Sequence, residues 1–170
     1  MEKYVLGLDI STSKIGLCIM DFNYNLIESE VIKLDTSQQL EERCIFLENY
    51  IGDKKYLINK VFIESPFIMF SGGKTTAVTM SKLQRFNGMV SFMIRRSLDI
   101  QPVLIAANKA RGLVDLKIKR GENTKRKVIE HVEQKYPDKF TYELTRYGNP
   151  KPGTDDRADA VVIAWAGLLL

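Results

Sequence analysis

The chain has 170 residues, 45% of them hydrophobic and 27% charged, with 25 Lys and Arg against 21 Asp and Glu. That is the balance of an ordinary globular protein, long enough to build one domain, 1–170, around a sizeable core. No apolar run approaches the roughly 20 residues that span a bilayer, and the opening Met-Glu-Lys-Tyr-Val lacks a secretory leader pattern, so a cytoplasmic protein with no membrane partner is expected.

Residues 4–10 are an apolar run interrupted by one acid, Asp9. Ser11-Thr12-Ser13 reads as a tight turn and 15–21 as an antiparallel partner strand. After the turn-like Asn23-Tyr24-Asn25, residues 26–34 make a third strand and complete a meander. Asp35-Thr36-Ser37 offers an N-cap for an amphipathic helix over 37–52, with Leu40, Cys44, Leu47 and Ile51 on one face. Residues 57–64 are a fourth strand ending at Glu64, which Pro66 stops; 66–74 form a loop. A long helix is expected over 75–98 and a fifth strand over 102–107. A short helix and a loop around Gly121 follow, then a helix over 123–136 with Val128, Ile129 and Val132 inward. Residues 137–153, with three prolines and two glycines, read as a loop. The last helix, 155–169, is almost wholly apolar after Asp159 and should be buried, Trp165 included. A meander followed by alternating helices and strands predicts an α/β fold: a five-stranded mixed sheet with helices on both faces.

Three groups of acids stand where acids are locally out of place. Asp is depleted from strands, and a buried carboxylate has to be paired, hydrogen-bonded or bound to a cation. Asp9 lies in the first strand, Glu64 ends the fourth, and Asp156 and Asp159 open the apolar last helix on one face, three residues apart. Asp155 is four residues from Asp159, so spacing alone leaves Asp155 and Asp156 both open as its partner; the Gly153-Thr154 lead-in makes Asp155 a good N-cap. If the first and fourth strands are neighbours and the last helix crosses them, the carboxylates converge. Such a cluster repels itself unless cations occupy it, and carboxylate oxygens suit Mg²⁺ or Mn²⁺.

The net charge of +4 is unevenly placed: residues 109–127 hold eight Lys or Arg against Asp115 and Glu122, while the remainder is mildly acidic. A basic segment on an acidic body points to a polyanion, although charge runs are more often solvated faces. Ser71-Gly72-Gly73-Lys74-Thr75 mimics the end of a nucleotide-binding loop, but Ile68 stands where its first glycine belongs. His131, between acids on a helix, reads as a surface residue. Cys18 and Cys44 have no metal-ligand spacing and read as reduced thiols.

From LGLDISTSKIG through VFIESPF to DDRADAVVIA, most of the chain resembles the RuvC-type Holliday junction resolvases of the ribonuclease H-like superfamily. The resemblance implies a ribonuclease H-like fold and catalytic, metal-holding acids at Asp9, Glu64, Asp156 and Asp159, with two Mg²⁺ per site and Mn²⁺ as a substitute. It also implies branched DNA, above all the four-way junction, as the partner of a homodimer. Phe67, three residues beyond Glu64, falls where the family places an aromatic against unpaired bases. Arg111 and Lys125 fall where it places basic DNA contacts. Lys74, Lys117, Lys119, Arg120 and Arg126 are further candidates for the DNA surface. Val78, Met89, Phe92 and Met93 of the long helix are candidates for the dimer contact. The turn after Asp9 lacks the family's Pro-Gly and the basic segment is longer; both departures fit a divergent, phage-type member acting in a bacterial or phage-infected host. Two rival readings are a non-catalytic nucleic-acid-binding relative, against which the full acid set argues, and an actin-like phosphotransferase fragment, suggested by the Asp9–Ser13 turn.

Overall fold

The computed structural model describes residues 2–66 and 76–170. β1 (Lys3–Ile10), β2 (Lys14–Asp21) and β3 (Leu26–Lys33) form the expected meander. α1 (Leu40–Gly52) leads to β4 (Leu57–Glu64), which lies parallel to β1. α2 (Ala77–Leu98), β5 (Val103–Ile105), α3 (Ala107–Leu113), α4 (Thr124–Lys135) and α5 (Thr154–Leu168) follow. The sheet order is β3-β2-β1-β4-β5, a ribonuclease H-like mixed sheet.

Period-two alternation divides the sheet's residues between two cores. Leu6, Leu8, Leu17, Ile19, Val61 and Ile63 face one side and pack with Leu47 of α1 and Phe86, Val90 and Ile94 of α2. Val5, Cys18, Met20, Phe62 and Ile105 face the other and pack with Val128, Ile129 and Val132 of α4 and the apolar run of α5. Each such side chain removed from water contributes about 1.5–3 kcal/mol.

α5 lies unusually close to the sheet, and glycines make this possible. A Cβ on Gly16 would stand 1.9 Å from the Asp156 carbonyl oxygen, and one on Gly7 2.5 Å from that of Ala160. At the other end of the helix, a Cβ on Gly167 would stand 2.3 Å from the Phe62 ring. The helix therefore runs from β2 across β1 to β4, held by backbone rather than side-chain spacing. Its start is fixed by Gly153, at φ +96, a left-handed conformation only glycine adopts freely.

The turn between β1 and β2 is held from two sides. Ser11 donates its N–H and its hydroxyl to the Lys14 carbonyl, at 3.0 and 2.8 Å. Arg43 of α1, almost wholly buried, donates to the Thr12, Thr36 and Gln38 carbonyls at 2.5–3.1 Å.

Several expectations need correction. Asp35 does not cap α1: it accepts from the N–H and hydroxyl of Ser37, and the helix starts at Leu40 without a side-chain cap. β5 is only three residues long, because Pro102 has no N–H to donate and Ala106 already serves as the N-cap of α3. Asp155 is not the N-cap of α5; Gly153 occupies that position. His131 is half-buried, stacked on the partly buried Trp165 at 5.4 Å with its Nε2 3.0 Å from the Val114 carbonyl. Met93 lies in the core and Met89 packs against it, whereas Val78 and Phe92 are exposed.

Gly16→Ala is expected to force α5 off the sheet and lower stability by about 1–3 kcal/mol or more. That is roughly 2–4 °C of melting temperature per kcal/mol. Gly88→Ala, mid-α2 with open space around it, should instead stabilise by about 0.5–1 kcal/mol. Thermal melts of the two variants check both signs; a neutral Gly16→Ala would contradict the close approach of the helix.

Candidate active site

Strand alternation places the first two acids. Val5 and Gly7 of β1 face α5, so Asp9, two residues on, does too. Glu64 lies two residues beyond Phe62 on the same face of β4. The two strands are parallel neighbours with Leu8 paired to Ile63, so Asp9 and Glu64 end adjacent strands side by side. The carboxyl ends of parallel strands are where open α/β sheets bind ligands. On the other flank Asp9 pairs with Gly16, over which the backbone of Asp156 rests. The first turn of α5 thus overhangs the two strand acids and brings Asp159 toward them. Arg111, on the helix that follows β5, completes the setting.

The electrostatics show that these groups share one field. The Asp9 carboxyl is pushed up from 3.8 to about 8, first by burial and then by the charges of Glu64, Asp159, Asp156 and Asp155. Glu64 is pushed up to about 7 by burial and Asp159, against the opposing charge of Arg111. Asp159 is pushed up to about 6 by burial, with Asp155 and Asp156 adding and Arg111 and Lys125 opposing. Burial would also raise Asp155, but its hydrogen bond to Lys125 and the charges of Lys125 and Lys14 hold it below the usual carboxylate range. Asp156 meets the Lys14 ammonium at 2.5 Å.

Among the described residues, no three His, Cys, Asp or Glu stand close enough to hold an ion as they are. The chemistry of the donors nevertheless fits a hard divalent cation. They are carboxylate oxygens largely withdrawn from water, with Asp9, Glu64 and Asp159 raised by burial and by neighbouring acids, and Oδ2 of Asp156 is buried with only the Lys14 ammonium against it among the described residues.

The expected DNA-facing cations fall into different settings. Arg111 stands within the field of Glu64 and Asp159, and Lys125 pairs with Asp155. Arg126 pairs with Glu130 at 3.0 Å and Lys117 with Asp115 at 3.3 Å. Lys119 and Arg120 are exposed on the loop between α3 and α4 and meet no carboxylate at ion-pair distance among the described residues. Phe67, Lys74 and most of the loop expected over 66–74 lie outside the described residues. Sequence reasoning missed Lys14; its signal was the alternation that puts it on the face of Gly16 and Cys18.

The raised acids give the metal-free protein a distinctive pH dependence. The folded chain keeps these protons to higher pH than the unfolded chain does. Their stabilising contribution is therefore complete below about pH 4 and is lost as pH rises to about 8. Melting temperature in a chelator should fall between pH 5 and pH 8, and Asp9→Asn should flatten that fall. A melting temperature that rises over this range in the parent protein, unchanged by Asp9→Asn, would contradict the cluster.

Among the described residues, no helix is long and apolar enough to cross a membrane. No protein-family model matches the sequence, and no curated protein matches it. The fold is similar to that of T. thermophilus RuvC in complex with Holliday junction substrate, at 15% identity and a TM-score of 0.66, over 98% of this chain and 93% of that one. T. thermophilus RuvC alone gives 16% and 0.63 over the same shares. The yeast mitochondrial Holliday junction resolvase Ydc2 gives 15% and 0.59, over 97% of this chain and 79% of that one. None of these likenesses supports the phage-type expectation. Over nearly its whole length, the chain has the fold of the RuvC-type Holliday junction resolvases.

Proposed function

We propose that the chain, acting as one domain over 1–170, is a metal-dependent endonuclease that resolves Holliday junctions or other branched DNA. The observation that carries this reading is the placing of Asp9 and Glu64 side by side at the ends of parallel strands, under the acidic first turn of α5. The likeness in fold to resolvases, one of them solved with its junction, supports it.

Asp9, Glu64, Asp156 and Asp159 would hold two Mg²⁺, or Mn²⁺ in their place. The chemistry they would supply is activation of a water and stabilisation of the leaving oxygen of a phosphodiester, which would give a 5′-phosphate and a 3′-hydroxyl. Arg111, beside Glu64 and Asp159, keeps a fixed positive charge where a scissile phosphate would lie. The loop carrying Lys117, Lys119 and Arg120 offers cations to the flanking backbone, and Lys125, Arg126 and Lys151 line a cleft of about 300 Å³ beside Asp155. Phe67, just past Glu64 and Pro66, would stack on an unpaired base, and Lys74 would meet a nearby phosphate. A junction is two-fold symmetric, so a homodimer with one site per protomer suits it; the exposed Val78 and Phe92 of α2 are its candidate contacts.

Cleavage of four-way DNA in Mg²⁺ tests the reading. Asp9→Asn, Asp156→Asn and Asp159→Asn should each lose orders of magnitude in cleavage while binding stays within a few-fold. Asp155→Asn should keep much of the activity, because Asp155 turns toward Lys125 of α4 rather than toward Gly16. An inactive Asp155→Asn beside an active Asp156→Asn would move the ligand pair to Asp155 and Asp159.

Lys119→Gln with Arg120→Gln should weaken junction binding and reduce the magnitude of the log K against log salt slope by about 0.9 for each phosphate that is no longer neutralised. An unchanged slope would return the loop to a solvated face.

A further inference from the structure

The five acids around the site are not equally supplied with cations. Asp9, Glu64 and Asp159 have no ion-pair partner among the described residues; Arg111 opposes Glu64 and Asp159, Lys125 opposes Asp159, and all three acids are raised. Asp155 has Lys125, and Asp156 has Lys14. The Lys14 pair, like that of Lys54 with Glu30 away from the site, is partly shielded. Its two side chains are 34% and 13% exposed, so the carboxylate is largely shielded while the ammonium reaches it from the rim. The oxygen that Lys14 meets is buried and has no other polar partner among the described residues, which leaves the ammonium as its charge partner.

Both backbones are immobilised. Lys14 is bonded through its carbonyl and its N–H to Ser11, and the turn before it is held by Arg43 on Thr12 and by the Leu34 N–H on the Ser13 carbonyl, at 2.9 Å. Asp156 is seated on Gly16. With both backbones fixed, the pair opens by side-chain rotation, and the free end of the lysine already borders solvent.

Resting on the metal-dependent reading above, we infer that Lys14 is a built-in counter-ion for Asp156 that a divalent ion must displace. Its ammonium holds the carboxylate in position when no ion is bound there. Among the described residues no cation stands at ion-pair distance from Asp9 or Glu64, Arg111 acting on Glu64 only through its field, so an ion held there would displace no such partner and the ion beside Asp156 would bind the more weakly of the two. Lys14 is in this sense a positioning residue that sets the metal requirement.

Mn²⁺ binding to the whole chain without DNA, followed by paramagnetic resonance of the free ion, tests this apart from activity. The parent protein and Lys14→Arg should bind two ions with unequal affinities. Lys14→Met should tighten the weaker class about fivefold, the equivalent of a partly exposed ion pair, and leave the tighter class unchanged; Asp156→Asn should lose the weaker class. Lys14→Gln serves in its place if Lys14→Met does not fold. A weaker class that is unchanged or absent in a folded Lys14 variant overturns the inference, and so does equal affinity for both ions in the parent. No Asp9-dependent Mn²⁺ binding in the parent protein would be a different failure, that of the metal-dependent reading itself.

Discussion

The contact on which the rest depends is that of α5 with β2 and β1, where backbone meets backbone. Helices usually stand off a sheet by the thickness of their side chains. Here Gly16 and Gly7 leave none on the sheet side, and the carbonyls of Asp156 and Ala160 settle directly over the strands. Because Gly16 is the cross-strand neighbour of Asp9, this one approach fixes how high the first turn of α5 sits above the first acid. The alanine-rich run that follows, Ala158 to Ala166, continues the close packing and buries the helix.

The same contact makes the site costly. Acids that would each be harmless on the surface are withdrawn from water in one another's field, and Asp9, Glu64 and Asp159 respond by holding protons well above their ordinary range. The surrounding structure absorbs this strain elsewhere. Two apolar layers cover opposite faces of the sheet, and Arg43, buried without a carboxylate at ion-pair distance among the described residues, is satisfied entirely by carbonyls that tie α1 to the turn after Asp9. The site is thus built on the ends of strands and one helix, with its cations on the neighbouring β2, α3 and α4.

How much of this the sequence disclosed depends on range. The strands and helices were legible because alternation and helical spacing are local, and β1 to β4 and α5 lie within a few residues of where periodicity put them. Asp9, Glu64, Asp156 and Asp159 stood out because each breaks an apolar pattern. What local pattern does not carry is which cation faces which acid. Asp155 looked like a cap because it follows Gly153-Thr154, yet Gly153 takes the cap by virtue of its left-handed backbone, against Val31. Nothing in the local pattern sets Lys14 apart, and Arg111 is one of eight basic residues in a run. Only the crossing of α5 over β2, and of α3 beside β5, shows that both belong to the acidic field.

That separation also alters how the basic segment is to be understood. A net charge of +6 over 109–127 reads from sequence as one surface for a polyanion. In the fold, part of it is turned inward toward the acids, through Arg111 and Lys125, and part is neutralised along α4, through Arg126 and Lys127 with Glu122 and Glu130. The uncommitted charge is concentrated in the loop between α3 and α4, at Lys119 and Arg120. A segment that seemed to have one electrostatic role has two, separated by a few residues: inner cations that moderate the repulsion among the carboxylates, and outer cations left for the phosphates of a partner. Substituting the inner set changes the field of the carboxylates, whereas the outer set can be substituted without touching it.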